Sequence, residues 1–330
     1  MKRKWLLVLL VTFLSITLLA GCGGQSKEQA SQESEQAEFT YPEKPITYLI
    51  PFDPGGQSDV EARRQQPYLE DILGQSILIE YRPGAGGAVG WTELARQKPD
   101  GYFIAGFNIP HIILQPAQRD DAGYKTEDIV PVAIFQSTPI GLAVLKDSPF
   151  ETLEDFIAYA KENPGKITIA GSGTLSGHDI ARMQLEKFAD IKVEYIPYTG
   201  AAPQLQAFLG GHNMAILGNS NDLYQHKDKI RVLAFGSPER SELFPDAPTF
   251  IEKGFDMVPS IDRGVAVPPG TPMEIIKVLE DAFLQICNNP EIQEQMIQQG
   301  FVPRAMGHEE SLEYIQTTQK QFLEILEEVQ

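Results

Sequence analysis

The sequence predicts an α/β protein with largely parallel sheets, and three features of the 330-residue chain support this. From Tyr41 onward, short apolar runs typical of strands alternate with stretches typical of helices, the order found in parallel sheets covered by helices. Glycine-rich turns follow several of these runs and precede helices, as in the strand-turn-helix units of open sheets. About 290 residues follow the amino-terminal segment, too many for one ordinary core and enough for two domains.

The amino terminus indicates an export signal. Residues 2–4 are basic and precede an apolar run from Trp5 to Ala20, the arrangement of a signal peptide. The run ends in Leu-Ala-Gly-Cys22, which resembles the lipobox of bacterial lipoproteins, where cleavage precedes an acylated cysteine. A retained transmembrane anchor is the alternative, but 16 residues are few for a span. We expect residues 1–21 to be removed and the protein to lie outside the cytoplasmic membrane, anchored by a lipid on Cys22.

The amino-acid composition characterises residues 22–40 and restricts the class of partner that the protein can bind. Residues 22–40 are rich in Gly, Gln, Ser and Glu, so we expect a disordered tether. Loss of the three basic residues near the start takes the net charge from −18 to −21, which argues against a nucleic-acid partner. An anionic ligand would therefore be held by local dipoles. Cys287 is the other cysteine, so an acylated Cys22 leaves no intrachain disulfide.

The predicted elements follow from periodicity and end signals. The first helix, near residues 59–73, contains Pro67, which should kink or shorten it. A cap, a proline and a capping-box glutamate mark a helix start at residues 271–274, and a long helix closes the chain. The predicted strands are residues 46–50, 77–81, 103–107, 132–135, 140–145, 167–170, 193–196, 214–217, 232–235 and 264–267.

The turn after the first strand has the features of an anion site. Gly55 and Gly56 allow positive φ and close approach to backbone N–H groups. Ser58 and Asp59 suit the cap of the next helix, whose first amides carry partial positive charge. Such a turn can bind an anion without a basic side chain. The alternative is a tight strand-to-helix connection with no ligand.

A second glycine turn, residues 82–90, also lies between a strand and a helix. Ligands in open sheets lie beyond the carboxyl ends of strands, so two such turns would form one amide-lined wall. Neither turn is a nucleotide motif. Walker loops need Lys-Ser/Thr after the glycines, and Val89 stands where a dinucleotide motif needs its third glycine.

A third turn, residues 170–178, supplies hydroxyl groups as well as amides. Ser172 or Ser176 could pair with His178 in a hydrolase, but Thr174 stands where a nucleophile elbow needs glycine. The other histidines lack metal-ligand spacing, so we predict neither a metal nor a cofactor.

The chain resembles the solute-binding receptors of tripartite tricarboxylate transporters, the Bug or TctC family. The resemblance spans nearly all of residues 41–330, and each fragment is short, but their order is specific. The matching segments are residues 41–46, 51–59, 82–87, 99–102, 171–174, 178, 197–200, 202–203, 209–211, 240–241, 245–249 and 268–272.

The resemblance implies a two-lobed type II periplasmic binding protein, or Venus flytrap, in which each lobe is a mainly parallel sheet flanked by helices. Lobe one would be residues 41–138 and 260–330, and lobe two residues 139–259. A small organic carboxylate, such as a di- or tricarboxylate, would bind between the lobes for delivery to membrane permease subunits, and the receptor would be a monomer that does no chemistry. The implied ligand-binding residues are Phe52, Gly55, Gly56, Ser58, Asp59, Gly84, Ala85, Gly86, Gly87, Ala88, Ser172, Gly173, Thr174, His178, Tyr198, Asn219 and Asp222.

Two charged residues, Asp59 and Arg263, lie in or near the matching segments. Asp59 would repel a carboxylate, so we expect it to cap its helix or to orient amides and water. Arg263 could reach a second carboxylate, but long cationic side chains are mostly exposed, so we expect a surface or hinge role and leave it outside the site.

Two alternative functions stay open. The enzyme alternative is a secreted hydrolase that uses Ser172, Ser176 and His178, and the other is a sensing accessory protein without a permease.

Overall fold

The structure is a computed structural model that describes residues 39–329. The predicted signal peptide, the acylated Cys22 and nearly all of the tether lie outside the described residues. Among those that are described, no helix is both long and apolar enough to cross a membrane.

Ten strands and ten α-helices alternate along the described chain. The strands are β1 (Ile46–Ile50), β2 (Ile77–Tyr81), β3 (Phe103–Ile109), β4 (Val130–Leu145), β5 (Thr168–Gly171), β6 (Glu194–Pro197), β7 (Ala215–Asn219), β8 (Ile230–Phe235), β9 (Ser260–Val267) and β10 (Val302–Met306). The helices are α1 (Gln57–Leu73), α2 (Ala88–Leu94), α3 (His111–Gln118), α4 (Leu153–Glu162), α5 (Gly177–Ala189), α6 (Ala201–Leu209), α7 (Ser220–Gln225), α8 (Met273–Cys287), α9 (Pro290–Gln298) and α10 (His308–Val329).

The strands form a curled mixed sheet in the order β2-β1-β3-β9-β4-β7-β5-β6, with β8 and β10 also paired to β4. Strand β1 is parallel to β2 and β3, and β5 is parallel to β6 and β7. Every pairing of β4 and β9 is antiparallel. The α/β class is confirmed, but the expectation of mainly parallel sheets is corrected, because two long strands run against their neighbours at the centre.

Strand β4 replaces two of the predicted strands and joins two groups of strands. Its residues 130–139 pair with β9, and residues 140–145 pair with β7 and β8. Pro139 lies where the partners change, consistent with its lack of a backbone N–H. We call β1, β2, β3, β9, β10 and residues 130–139 the first half-sheet, and β5 to β8 with residues 140–145 the second half-sheet. The lobe boundaries given above stay a prediction.

Each half-sheet has its own apolar core. Helix α8 packs Leu279 and Phe283 onto the first half-sheet, where the Phe283 ring meets Tyr48 edge to face, with centroids 6.2 Å apart. A separate cluster around Phe156 and Leu185 fills the second. Helix α1 continues through Pro67 to Leu73, so the predicted shortening does not occur. These two cores hold the carboxyl ends of β1, β3, β5 and β7 in place around one cavity.

Candidate functional site

A small buried cavity of about 20 Å³ lies between the two half-sheets. It is bounded by the turn after β1, the end of β3 and strand β9 on one side, and by the segments after β5 and β7 on the other. This is the place where open α/β sheets bind ligands, beyond the carboxyl ends of their strands. The lining residues are Phe52, Gly56, Gln57, Ser58, Asn108, His111, Ser172, Ala201, Asn219, Ile261 and Arg263.

A larger depression, of about 550 Å³, lies on the surface of the second half-sheet around Arg231, Arg240 and Phe244. None of these three residues is buried, so water solvates the charges of its two arginines. The smaller cavity is the better candidate because its polar groups are desolvated, and desolvation strengthens electrostatic contacts with a ligand.

The first glycine turn is held by Asp59. The Gly55 N–H, at a φ of +80°, donates to Asp59 Oδ2 over 2.7 Å. Asp59 Oδ1 accepts from Arg63 Nε (2.8 Å) and from the Tyr81 hydroxyl (2.7 Å). Asp59 therefore orients an amide, as expected, but it points away from the cavity and occupies the Gly55 amide. The expected caps are corrected, since Gly56 is the N-cap of α1 and no side chain caps this end.

The start of α1 instead faces the cavity. Gly56, Gln57 and Ser58 line it, while Phe52 closes one side and its ring lies edge to face with His111, centroids 5.9 Å apart. The first N–H groups of a helix have no intrahelical acceptor and carry partial positive charge. The turn after β1 thus places the first amides of α1 at the cavity, and their role in binding an anion stays a prediction.

The second glycine turn does not line the cavity. Its backbone has positive φ at four successive residues and approaches the third turn directly. A Cβ added to Gly86 would lie 3.2 Å from the Thr174 carbonyl oxygen, and one added to Gly173 would lie 3.4 Å from Gly86 Cα. The residues expected to form a second amide wall, Gly84, Ala85, Gly86, Gly87 and Ala88, are not among those that line the cavity, and Gly86 contacts the third turn instead. Their role in ligand binding stays a prediction.

In the third turn, Ser172 lines the cavity and bonds to His178. The Ser172 Oγ and the His178 Nδ1 are 2.7 Å apart, and the Ser172 N–H donates to the same nitrogen over 3.0 Å. Nδ1 therefore carries no proton. Burial and the positive charge of Arg263 lower the pKa of His178 to about 3, so the ring is neutral at pH 7.

The same geometry disfavours the hydrolase alternative. A general base works best with a pKa near the working pH, and His178 lies far below it. Ser176 is engaged elsewhere, since it caps α5 by accepting the Asp179 N–H (3.2 Å) and donates to the Gly173 carbonyl (3.0 Å). Gly173 and Thr174 contact the second turn and do not line the cavity.

Three more of the predicted residues, Tyr198, Asn219 and Asp222, lie in the half of the molecule that is built on the second half-sheet. Asn219 ends β7 and lines the cavity. Asp222 lies behind it, where its carboxylate accepts from Asn219 Nδ2 (3.0 Å) and from Gln57 Nε2 across the gap between the halves (2.9 Å). Burial raises the pKa of Asp222, and these two hydrogen bonds oppose the rise. Tyr198 points elsewhere and donates to Asn213 Oδ1 over 2.8 Å.

Arg263 lines the cavity, contrary to the expectation of a surface or hinge role. It is 3% exposed, and it faces Asn108 across the β3–β9 pairing, so both side chains reach the same space. Its Nη1 donates to Thr138 Oγ1 over 2.5 Å. Among residues 39–329, no carboxylate forms an ion pair with Arg263, and its Nε has no hydrogen-bond partner. Burial lowers the pKa of Arg263 to about 10, so the group stays charged at pH 7.

Sequence reasoning also missed Gln57, Asn108, His111, Ala201 and Ile261. A signal for Arg263 was present, because residues two apart in a strand share a face, which places Arg263 on the same face as the apolar Ile261 and Val265. Burial lowers the pKa of His111 well below its usual range, so this side chain is neutral. Arg263 is thus the one charged side chain among those that line the cavity. The described part of the chain contains no group of three or more His, Cys, Asp or Glu residues placed to hold a metal.

Two α/β halves around a buried cavity form the architecture of periplasmic binding proteins. A structure described as a periplasmic transporter has a TM-score of 0.83 to this chain and 29% identity, covering 87% of this chain and 98% of its own. The periplasmic binding protein BugD has a TM-score of 0.82 and 26% identity, covering 88% and 98% respectively.

Residues 61–330 match the model of the tripartite tricarboxylate transporter family receptor, TctC, and the chain belongs to this family. Protein BugT of Bordetella pertussis is 31% identical over 270 residues, which cover 80% of this chain and 82% of that one. A protein of Cupriavidus necator, named UPF0065 protein in gbd 5'region, is 30% identical over 301 residues, 91% of this chain and 92% of its own. The family prediction is confirmed.

Proposed function

We propose that this protein is an extracytoplasmic receptor that captures a small organic carboxylate between two lobes and delivers it to a permease of the tripartite tricarboxylate type. The observation that carries the proposal is Arg263, a buried guanidinium that lines the cavity without a carboxylate partner. Membership of the receptor family, and the likeness to proteins named as periplasmic, support the same conclusion.

The charges around the cavity favour an acid. A charged group removed from water is costly unless it is paired and hydrogen-bonded, and a ligand carboxylate would pair with Arg263. The start of α1 adds amide donors at Gln57 and Ser58, and charge-assisted hydrogen bonds are the strong ones. No acidic residue lines the cavity to oppose an anion. The proposed contacts to the ligand carboxylate therefore combine main-chain amides with one basic side chain.

Delivery requires that the bound form differ from the free form. We assign residues 41–138 and 260–330 to lobe one and residues 139–259 to lobe two. A ligand that contacts both lobes favours the closed form, and the permease reads that form. A lipid on Cys22 keeps the receptor at the membrane, which raises its local concentration near the permease.

A thermal-shift screen of residues 23–330 tests ligand capture. The panel contains small mono-, di- and tricarboxylates together with their neutral amides, for example succinate and succinamide. We expect at least one acid to raise the melting temperature, since a ligand at 100 times its Kd stabilises the native state by about 2.7 kcal/mol, and we expect its amide to have no effect. Stabilisation by the amides but by none of the acids would contradict the proposal. Uptake of the same acid should fall in cells that lack this receptor.

A further inference from the structure

Asp222 determines which way two cavity-lining amides face. Its Oδ1 accepts from Gln57 Nε2 (2.9 Å), its Oδ2 accepts from Asn219 Nδ2 (3.0 Å), and Asn221 Nδ2 lies 3.4 Å from Oδ1. An ionised carboxylate can only accept hydrogen bonds. Gln57 and Asn219 must therefore direct their nitrogens at Asp222, and their carbonyl oxygens face the other way.

Those carbonyl oxygens are buried acceptors. Within residues 39–329, Gln57 Oε1 has no hydrogen-bond partner, and Gln57 lines the cavity. The Asn219 amide lies beside His178, whose ring proton is on Nε2, and a hydrogen bond between these two side chains partly offsets the lowering of the His178 pKa by burial. Gln57 is 4% exposed and Asn219 is 1% exposed. A buried acceptor without a donor is destabilising. The cavity thus presents one unpartnered acceptor, Gln57 Oε1, beside two ring or guanidinium nitrogens without partners, Arg263 Nε and His111 Nδ1.

We propose that the ligand is a compact hydroxycarboxylate, whose acid group pairs with Arg263 and whose hydroxyl donates to Gln57 Oε1. This inference rests on the proposed function and names the substrate class of the same site. The small size of the cavity favours an acid of few carbon atoms.

An ammonium group would also donate, but the surroundings favour a hydroxyl. An ammonium would be a second buried cation beside Arg263, and no carboxylate lines the cavity to balance it. Both oxygens of Asp222 are already engaged by side-chain amides. A hydroxyl adds the donor without adding charge. An acid that lacks the hydroxyl would leave Gln57 Oε1 desolvated against carbon atoms, which weakens binding.

Calorimetric titration of residues 23–330 with matched acids tests the inference. The pairs are malate and succinate, lactate and propionate, and 2-hydroxyglutarate and glutarate, with aspartate as the ammonium analogue of malate. We expect the hydroxylated member of the pair that fits best to bind about tenfold tighter or more, and malate to bind tighter than aspartate. Equal affinities within every pair, or a preference for aspartate, would overturn this inference and leave the carboxylate receptor standing. Failure of all the acids to bind would overturn both proposals.

The role of Asp222 is tested by the selectivity ratio, which a purely structural residue would not change. In Asp222→Asn the new amide can donate as well as accept, so Gln57 can turn its nitrogen to the cavity. We expect the affinity ratio within the best pair to fall to about threefold or less. Asp281→Asn, an exposed change of the same kind on α8, should keep the wild-type ratio. If Asp222→Asn does not fold, Gln57→Met removes one acceptor directly and should lower the ratio, and an unchanged ratio would overturn the inference.

Discussion

Arg263 is a buried residue that stays charged at the cavity. Its guanidinium is 3% exposed, and a chain of hydrogen bonds from Gln136 Nε2 to Thr138 Oγ1 (3.1 Å), which also accepts from Arg263 Nη1, keeps it in position. A buried charge without an ionic partner lowers stability. Such a group is retained when it serves binding, since stability is commonly given up at functional sites.

Replacement of this residue should separate binding from folding. We expect Arg263→Gln to weaken binding of the acid found in the screen by roughly 10- to 100-fold, because a charge-assisted pair in a desolvated site is lost. We expect the melting temperature of the ligand-free protein to change by only about a few degrees, since an unpaired buried charge is removed together with its hydrogen bonds. Titration calorimetry and thermal unfolding measure the two effects.

Two variants complete this test. Arg263→Lys keeps the charge and should retain more affinity than Arg263→Gln, although it loses the planar geometry of the guanidinium. Arg240→Gln removes an exposed arginine paired with Glu252 and should leave the affinity unchanged. If Arg263→Gln binds the acid as tightly as Arg240→Gln does, Arg263 does not contribute to ligand binding.

At the scale of the element, turn one and helix α1 act as one unit through Asp59. This carboxylate, which is 4% exposed, joins the Gly55 amide, the Arg63 guanidinium and the Tyr81 hydroxyl of strand β2. The amides at the start of α1 are therefore fixed before a ligand arrives. Preorganised donors need less ordering when the ligand binds.

Removal of the Asp59 charge should loosen this unit. We expect Asp59→Asn to lower the free energy of unfolding by about 2 kcal/mol, since hydrogen bonds to charged groups contribute about 1.5–3 kcal/mol, and to weaken acid binding several-fold. Asp71→Asn, an exposed change on the same helix, should have little effect on either quantity. Denaturant unfolding of both variants gives the comparison, and identical midpoints would show that the Asp59 network does not stabilise the turn.

Most helices and strands could be predicted from local sequence patterns, because hydrophobic periodicity and helix caps involve residues only a few positions apart. Strands β1 and β2 are found where the sequence placed them, whereas α8 begins at Met273, one residue later than predicted, with Pro272 as its N-cap and no side-chain cap. Strand β10 was missed because Pro303 and Arg304 interrupt its apolar pattern and it lies beside β4 through antiparallel pairing. Strand β4 was divided in two because Pro139 is a usual strand end, whereas here the partner strands change at that point.

The site was predictable only where it depends on local sequence. Turn one has its own glycines and lies at the cavity as expected. Arg263 was left out because its burial depends on pairing with Asn108, a residue 155 positions away, which no local pattern encodes. The second glycine turn was misplaced for the same reason, since its partner is Thr174 in the other half. Long-range pairing therefore determines which glycine turn lines the cavity and which one packs.

At the scale of the whole molecule, the two halves contact each other through polar groups around the cavity. Gln57 bonds to Asp222, and Gln115 Nε2 donates to the Thr174 carbonyl (2.7 Å) and to that of Leu175 (3.3 Å). A few such hydrogen bonds, each contributing about 1 kcal/mol, leave the balance between open and closed forms responsive to a ligand. Closure of the two halves onto each other would then depend on how closely their backbones approach one another.

Gly86 offers a test of that approach with a matched control. Its φ is +64°, and an added Cβ would overlap the Gln115 amide and lie 3.2 Å from the Thr174 carbonyl oxygen. Gly74 has a φ of +65°, but an added Cβ there meets no atom within 4 Å. Both Gly86→Ala and Gly74→Ala should lose about 1 kcal/mol of stability from left-handed backbone strain.

Gly86→Ala alone should also oppose closure, because the Cβ displaces Gln115 and breaks its bonds to the other half. We expect its affinity for the acid to fall several-fold, and the radius of gyration measured by X-ray scattering with ligand to exceed that of Gly74→Ala. Since Gly86 does not line the cavity, this loss would come from the closing equilibrium and not from a lost ligand contact. Equal affinity in the two variants would mean that the contact between the glycine turns contributes nothing to capture.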